Sequence, residues 1–330
     1  MAKNTIDRTV QYWRLVDAST HDPLENDIDW NKFFEQIIGL QTKGLHSKII
    51  DGRNLSGLIT PLKAESRKLL ADECPLSRNL ITDCQDSYGV VIAADKDFVP
   101  NQHDSNSGKQ APVGTNQGWN AVDNSFLWHL PFGNIFAYVN ESNSSVRATK
   151  YADWLTDLMR SNGWFAKDPN FRLTVAPVLD KEARKRIGQA VGLKKVIVRT
   201  SVGKKSSKNA SIGKMFARGD DYEYVEIETN IHVKRGKSDV ADQAELLNWF
   251  NENVGALEDF DKAKVNLVDA KENTTEVDLI EQRITRKQGI QLVSASAGAN
   301  IIDETTVFPA IIRAFNRDAK VLDNLKDDGR

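Results

Sequence analysis

The stretch FRLTVAPVLDKEARKRIGQAVGLKKVIVRTSVGKKSSKNASIGKMFARG, residues 171–219, carries the patterns that decide the fold of this part of the chain. Leu173, Val175 and Pro177 alternate with polar or small residues, and a period of two predicts a short strand that ends at the proline. Asp180 then stands where the N-cap of a helix is expected. The stretch therefore predicts a strand, a helix, a second strand and a loop, in that order.

The predicted helix and the strand after it both have one apolar side. The helix has its apolar residues at positions i, i+4, i+7 and i+8, namely Ala183, Ile187, Ala190 and Val191, and Gly192 is placed to end it. The strand, residues 193–202, takes Val196, Val198, Thr200 and Val202 on one face and Lys195, Ile197, Arg199 and Ser201 on the other. Residues 203–214 are predicted to form a basic loop.

Positive charge is concentrated in residues 181–218, which we call the basic segment. It holds twelve lysines and arginines and one carboxylate, Glu182, so its net charge is +11. The whole chain of 330 residues has a net charge of −2, so the other residues sum to −13. Because that net charge would repel an anion, the local excess of positive charge predicts a site that holds one.

Lysine and arginine contacts to phosphate groups need no sequence code and release counterions, so the basic segment predicts non-specific binding of a nucleic-acid backbone. The candidate binding residues are Arg184, Lys185, Arg186, Lys194, Lys195, Arg199, Lys204, Lys205, Lys208, Lys214 and Arg218. Only one aromatic residue, Phe216, lies among them, which favours a duplex over a single strand. If five to eight phosphates are neutralised, the slope of log K against log salt is about −4 to −7.

Three other interpretations of the basic segment stay open. The first is a solvated surface whose charge is compensated by nearby acids, namely Asp220, Asp221, Glu223, Glu226 and Glu228. The second is a metal-dependent nuclease, in which Asp221, Glu226 and Glu228 with Lys234 hold a metal beside the basic surface. The third is a protein-interaction module without a nucleic-acid role, whose basic surface meets an acidic partner.

Signatures of catalysis or of a cofactor are missing from the sequence. Gly213-Lys214 lacks the other residues of a phosphate-binding loop, and no nucleotide-binding glycine fingerprint or nucleophile elbow occurs. The spacing of Cys74 and Cys84 matches no zinc site, and the five histidines are scattered singly. The chain is therefore not expected to be an enzyme, and we expect no metal and no cofactor.

Patterns of both helices and strands occur outside the basic segment. Trp30 and Phe33 begin an apolar helix face, and Asp51-Gly52 joins two short strands as in a hairpin. Thr60-Pro61 resembles a helix start, and the polar tract of residues 100–124 is expected to be a long exposed loop. These patterns predict an α+β fold with mixed or antiparallel sheets and packed helices.

The length of the chain predicts two domains. We expect an N-terminal α+β domain at residues 1–145 and a C-terminal α+β domain at residues 146–330 that carries the basic surface. The start, MAKNTIDRTVQYW, lacks the apolar core of a signal peptide, and no stretch approaches eighteen apolar residues. The protein is therefore expected in the cytoplasm.

The order of segments between residues 125 and 325 resembles that of a known family. A hairpin (SFLWHLPFGNIFAYVNES) precedes a helix (KYADWLTDLM), a strand (FRLTVAPVL), a basic strand (KKVIVRTS), two later strands (KVNLVDA, TEVDLIEQRI) and a terminal helix (TVFPAIIRAFNRDAKVL). This order is similar to the Rex-type phage-exclusion sensor proteins of prophages and to the related DNA-binding subunit of the Kiwa anti-phage defence system. The polar tract at 100–124 and the long basic loop have no counterpart in this resemblance.

The resemblance implies a cytoplasmic homodimer that binds DNA with little sequence preference. It implies a sensor or effector role in anti-phage exclusion, alongside a small membrane-protein partner. The residues at which the resemblance places the DNA contacts are Arg184, Lys185, Arg186, Lys195, Arg199, Lys204 and Lys205.

Overall fold

The structure is a computed structural model, which describes residues 5–40, 45–96, 101–103, 110–112, 121–142, 144–165, 168, 170–203, 224–233, 239–253, 262–294 and 300–325. Its chain divides into two compact units. Unit 1 comprises residues 1–175 and 285–330, and unit 2 comprises residues 176–284. Unit 2 is thus an insertion in the sequence of unit 1.

Strands and helices alternate irregularly along the described chain. The strands are β1 (Thr5–Asp17), β2 (Leu45–Ile50), β3 (Arg53–Pro61), β4 (Tyr88–Asp95), β5 (Asn101–His103), β6 (Gln110–Pro112), β7 (Val122–His129), β8 (Ile135–Asn140), β9 (Leu173–Pro177), β10 (Ala190–Gly203), β11 (Tyr224–His232), β12 (Lys262–Asp269), β13 (Thr274–Asp278), β14 (Thr285–Ser294) and β15 (Asn300–Ile302). The helices are α1 (Trp30–Leu40), α2 (Ala64–Glu73), α3 (Arg78–Gln85), α4 (Ala148–Ser161), α5 (Lys181–Gly188), α6 (Asp239–Asn253) and α7 (Glu304–Asp323).

Unit 1 is built on a nine-stranded sheet. Eight of its strands follow the order β15-β14-β1-β8-β7-β4-β3-β2, and β9 also pairs with β1. Strand β1 joins distant parts of the chain, because it pairs antiparallel with β14 along residues 5–11 and with β8 along residues 11–14. Strands β5 and β6 form a separate two-stranded sheet.

Helices cover both faces of the unit 1 sheet. On one face α1 and α4 pack against it, and their side chains Trp30 and Trp154 share a buried cluster with Trp13 of β1. On the other face α7 packs against β7, where the rings of Phe315 and Trp128 lie 4.9 Å apart at nearly right angles. The period-two alternation of the strands, which sends successive side chains to opposite faces, supplies an apolar surface to both layers.

Unit 2 is a four-stranded antiparallel sheet with the order β11-β10-β12-β13. Helices α5 and α6 cover one of its faces, and Ala183 of α5 and Phe250 of α6 are buried with Val196 and Val265 of the sheet. The entering and leaving segments pair with each other, since the amide of Ile284 donates to the carbonyl of Val178 at 2.9 Å.

The α+β class predicted from the sequence is confirmed, and its sheets are antiparallel. The domain boundary expected near residue 145 instead lies inside unit 1, because the hairpin of β7 and β8 and the helix α4 on either side of it share one buried core. The chain crosses between the units at residues 175/176 and 284/285.

Three local predictions differ from the structure. The predicted continuation of helix α5 through Ala190 and Val191 is wrong: α5 ends at Gly188, and strand β10 begins at Ala190, where it pairs with Asp269 of β12. Thr60-Pro61 ends strand β3, and the following helix α2 begins at Ala64. The polar tract at 100–124 contains β5 and β6 and the start of β7, while residues 104–109 and 113–120 lie outside the described residues.

Within the described part of the chain, no helix is both long enough and apolar enough to cross a membrane.

Candidate nucleic-acid interface

In the part of unit 2 that the structure describes, one face of the sheet is not covered by a helix, and we call it the outer face. Val196 of β10 and Val265 of β12 point towards the helices, so the residues between them point the other way. The outer face carries Lys195, Ile197, Arg199, Glu228, Asn230, His232, Lys262, Lys264, Asn266, Glu276 and Asp278. These residues come from four strands that span residues 195–278, and antiparallel pairing brings them together.

Cross-strand registers arrange the outer face in rows. One row has His232 of β11 opposite Lys195 of β10, which is in turn opposite Asn266 of β12. Another has Glu228 opposite Arg199, which is opposite Lys262. Directly opposite side chains on neighbouring strands lie about 5 Å apart at their Cβ atoms, so each row forms one continuous surface.

The cations of the basic segment are divided between the two sides of this sheet. Arg184, Lys185 and Arg186 lie on α5, whose Ala183 is buried on the covered face, whereas Lys195 and Arg199 project from the outer face. On α5, the Nε of Arg186 donates to Glu182 at 3.3 Å. The structure therefore does not bring the helix cations and the strand cations of the predicted site together. Lys204, Lys205, Lys208, Lys214 and Arg218 lie outside the described residues, as does Phe216.

Carboxylates compensate part of the positive charge on the outer face. Arg199 and Glu228 form an ion pair at 2.7 Å, and the hydrogen bond from Arg199 lowers the pKa of the Glu228 carboxyl. Lys264 lies 2.7 Å from Glu276 and 3.9 Å from Asp278. The hydrogen bond from Lys264 likewise lowers the pKa of Glu276.

Charge on the outer face remains positive after this pairing. Five cations, counted with Lys194, stand against three carboxylates among the side chains that the structure describes there, which leaves a net charge of +2. The compensation of the basic segment by nearby acids, which was one interpretation of the sequence, is thus partly present. Of the three carboxylates on this face, Glu228 belonged to the acids predicted for that role, whereas Glu276 and Asp278 did not.

A hollow of about 520 Å³ opens on the outer face. It is lined by Lys194, Lys195, Asn230, His232 and Asn266. The Nζ of Lys194 also donates to the Thr274 hydroxyl of β13 at 2.8 Å. The two consecutive lysines therefore reach one place on the surface, although the sequence pattern assigned only Lys195 to this face.

Sequence reasoning missed the three residues that β12 supplies to this surface. Lys262, Lys264 and Asn266 alternate with apolar residues, which is a visible strand signal, but their partners on β10 lie 63 to 71 residues earlier. A local pattern predicts which residues share a face of one strand and does not predict which strands become neighbours.

The residues proposed for a metal-dependent nuclease are only partly described. Glu228 is occupied by its pair with Arg199. Asp221, Lys234 and the side chain of Glu226 lie outside the described residues. In the rest of the chain that the structure describes, no three histidine, cysteine or carboxylate side chains come together as a metal-binding group.

Comparison with known proteins finds no protein family whose profile matches this chain and no curated protein that matches it.

Proposed function

We propose that this protein binds nucleic acid, and duplex DNA in particular, through the phosphate backbone and with little sequence preference, using the outer face of unit 2. The observation that supports the proposal is the register of β10 with β12, by which Lys195 and Arg199 lie beside Lys262 and Lys264 on the outer face. Contacts of ammonium and guanidinium groups to phosphate position a duplex without reading its bases.

The dimensions of the outer face suit a short length of duplex backbone. Lys195 and Arg199 are four residues apart on β10, a distance of about 13 Å at 3.3 Å per residue. A length of 13 Å corresponds to about four base-pair steps of 3.4 Å. The cations on this face can therefore contact two or three phosphates of one strand.

The ion pairs on the outer face do not prevent such binding. Arg199 and Glu228 have side chains that are 34% and 38% exposed. Exposed pairs of this kind contribute about 0–1 kcal/mol, so a phosphate can compete for the cation. The carboxylates do reduce the number of counterions released, because they already neutralise part of the surface.

Titration with salt tests the proposal on the full chain. We expect unrelated 20-base-pair duplexes to bind with equal affinity, with a slope of log K against log salt of about −2 to −3, since about two or three phosphates are neutralised. Binding should survive EDTA, and the duplex should stay intact when magnesium is added. Absence of binding to DNA and RNA at 50 mM salt, which is about the lower end of the useful range, would favour an acidic protein partner instead.

A pair of matched variants locates the interface. Replacing Lys195 and Lys262 together by Gln should weaken binding to every duplex about tenfold or more, because two phosphate contacts are lost. Replacing Lys181 and Lys185 together by Gln removes the same charge from helix α5 of the same unit, and it should leave the affinity unchanged within about twofold. Equal losses in the two variants would rule out the outer face as the interface.

The cellular role implied by the resemblance belongs to the same proposal. In that role the protein acts in the cytoplasm as a homodimer in anti-phage exclusion, with a small membrane-protein partner. Its support is the order of segments between residues 125 and 325 together with the basic character of the outer face.

A further inference from the structure

The hollow on the outer face owes its composition to an irregularity in strand β10. Consecutive residues of a regular strand point to opposite faces. The register between β10 and β12 shifts by one residue between Leu193 and Lys195, which leaves Lys194 as the extra residue of a β-bulge. A bulge redirects side chains, and here Lys194 and Lys195 line the same hollow.

The other residues around the hollow are also hydrogen-bond donors. His232 lies in register with Lys195 on β11, and Asn266 lies in register with it on β12. Asn230 completes the lining. The Oδ1 atom of Asn266 is buried without a hydrogen-bond partner, and a half-turn of the side-chain amide exchanges this oxygen with the donor nitrogen.

Carboxylates are kept out of the hollow. Among the described residues, those that line it include none. Two carboxylates lie beside it. Glu276, opposite Asn266, is held by Lys264 at 2.7 Å. Glu228 accepts from Nδ2 of Asn230 at 3.2 Å and pairs with Arg199 at 2.7 Å. Two ammonium groups, an imidazole and two amides therefore line one space, and the two nearest carboxylates are each paired with a cation that is not part of the lining.

We infer that this hollow binds a phosphomonoester dianion, namely the terminal phosphate of a nucleic-acid strand. Because that ligand is part of a nucleic acid, the inference rests on the proposed function. An internal phosphodiester carries one negative charge, which one cation balances. A phosphomonoester carries a charge of about −1.5 to −2 at neutral pH and has three strong acceptor oxygens. That charge matches Lys194 and Lys195 together. A small phosphorylated molecule has the same chemistry and is the alternative source of the ligand.

The test compares three forms of one DNA with the full chain. They are a covalently closed circle, a linear duplex with 5′-phosphates and the same linear duplex with 5′-hydroxyls. We expect the 5′-phosphorylated duplex to bind about fivefold more tightly than the 5′-hydroxyl duplex, because a second charge is added to charge-assisted hydrogen bonds at a partly exposed site. In Lys194→Gln this preference should disappear, so that the two linear duplexes bind with equal affinity. Binding to the circle should weaken as well, because the variant removes one cation of the outer face, and the ratio of the two linear duplexes is therefore the measured quantity. The variant Lys185→Gln should keep the preference.

The outcomes separate the inference from the proposed function. Binding to the circle with equal affinity for the two linear duplexes overturns the inference and leaves non-specific binding in place. If no DNA binds, the hollow is tested with ribose 5-phosphate against ribose in a thermal-shift assay. A rise in melting temperature of about 1 °C or more with the phosphate alone, absent in Lys194→Gln, assigns the site to a small phosphorylated molecule. No rise overturns the inference.

Discussion

A buried imidazole sets an acid limit to the stability of unit 1. The Nε2 atom of His129 lies 2.5 Å from the Tyr151 hydroxyl, and its ring stacks against Phe136 with centroids 5.4 Å apart. Burial lowers the pKa of His129 to about 3. An unfolded histidine has a pKa near 6.5, so below that pH the unfolded chain binds a proton that the folded chain does not.

The free energy of unfolding should therefore decrease as the pH is lowered from about 6.5 to about 3. The contribution of His129 to this decrease is about 1.4 kcal/mol per pH unit. Urea denaturation at several pH values measures the slope. The variant His129→Gln, whose amide can still bond to Tyr151, should reduce it. Burial also lowers the pKa of His46. A smaller slope should therefore remain in the His129→Gln variant. Identical slopes in the two proteins would show that His129 does not control the acid limit.

At the scale of elements, helix α4 approaches the unit 1 sheet at a position where strand β3 has no side chain. A Cβ atom added to Gly57 would lie 2.1 Å from Cζ2 of Trp154. Trp154 is fully buried, and its Nε1 donates to the carbonyl of His46 at 3.3 Å. The indole therefore cannot move aside without breaking this hydrogen bond and the packing around it.

Replacing Gly57 by Ala should destabilise the protein by about 2–3 kcal/mol, the upper part of the range for overpacked cores. The matched control is Gly289→Ala on strand β14 of the same unit, where the nearest atom to an added Cβ is Asp7 Oδ1 at 3.9 Å. That control should be neutral or slightly stabilising, because alanine loses less entropy on folding. Equal unfolding midpoints in urea for the two variants would contradict this account of the helix–sheet contact.

Elements with strong local signals could be predicted from the sequence, and those decided by pairing could not. Asp180 was predicted to cap α5, and its carboxylate accepts from the amide of Ala183 at 2.8 Å. Ala190 and Val191 fit the same helical stripe, but both belong to strand β10, which pairs with β12 through Ala190 and Gly192. The bulge at Lys194 depends on the register with β12, so no pattern within β10 alone could show it.

At the scale of the whole molecule, the candidate site belongs to an inserted unit that the sequence order concealed. The sheet of unit 1 is completed only when β14 pairs with β1, about 280 residues earlier in the chain. The boundary expected near residue 145 rested on a run of spacer residues, and the elements on either side of that run share one buried core. Loop closure over such a separation costs little more than over a short one, because the cost grows with the logarithm of length.

The insertion predicts that the two units fold and function separately. The ends of unit 2 are adjacent, since Leu179 bridges to Arg283 and the amide of Asp180 donates to the carbonyl of Gln282 at 2.9 Å. A short glycine–serine linker in place of residues 178–284 should therefore let unit 1 fold, with cooperative urea unfolding and a near-ultraviolet circular dichroism signal from its buried tryptophans.

Residues 176–284 expressed alone should likewise fold, because this unit has its own buried cluster around Val196, Val265 and Phe250. The isolated unit should retain the DNA affinity of the full chain within about threefold at equal salt, and the linker form of unit 1 should not bind, because the proposed contacts to phosphate are those of the outer face. Anisotropy titrations of the three proteins with one duplex measure this. Two results would place the binding surface elsewhere in the chain. One is a folded unit 2 that does not bind the duplex, and the other is a linker form of unit 1 that binds the duplex as tightly as the full chain.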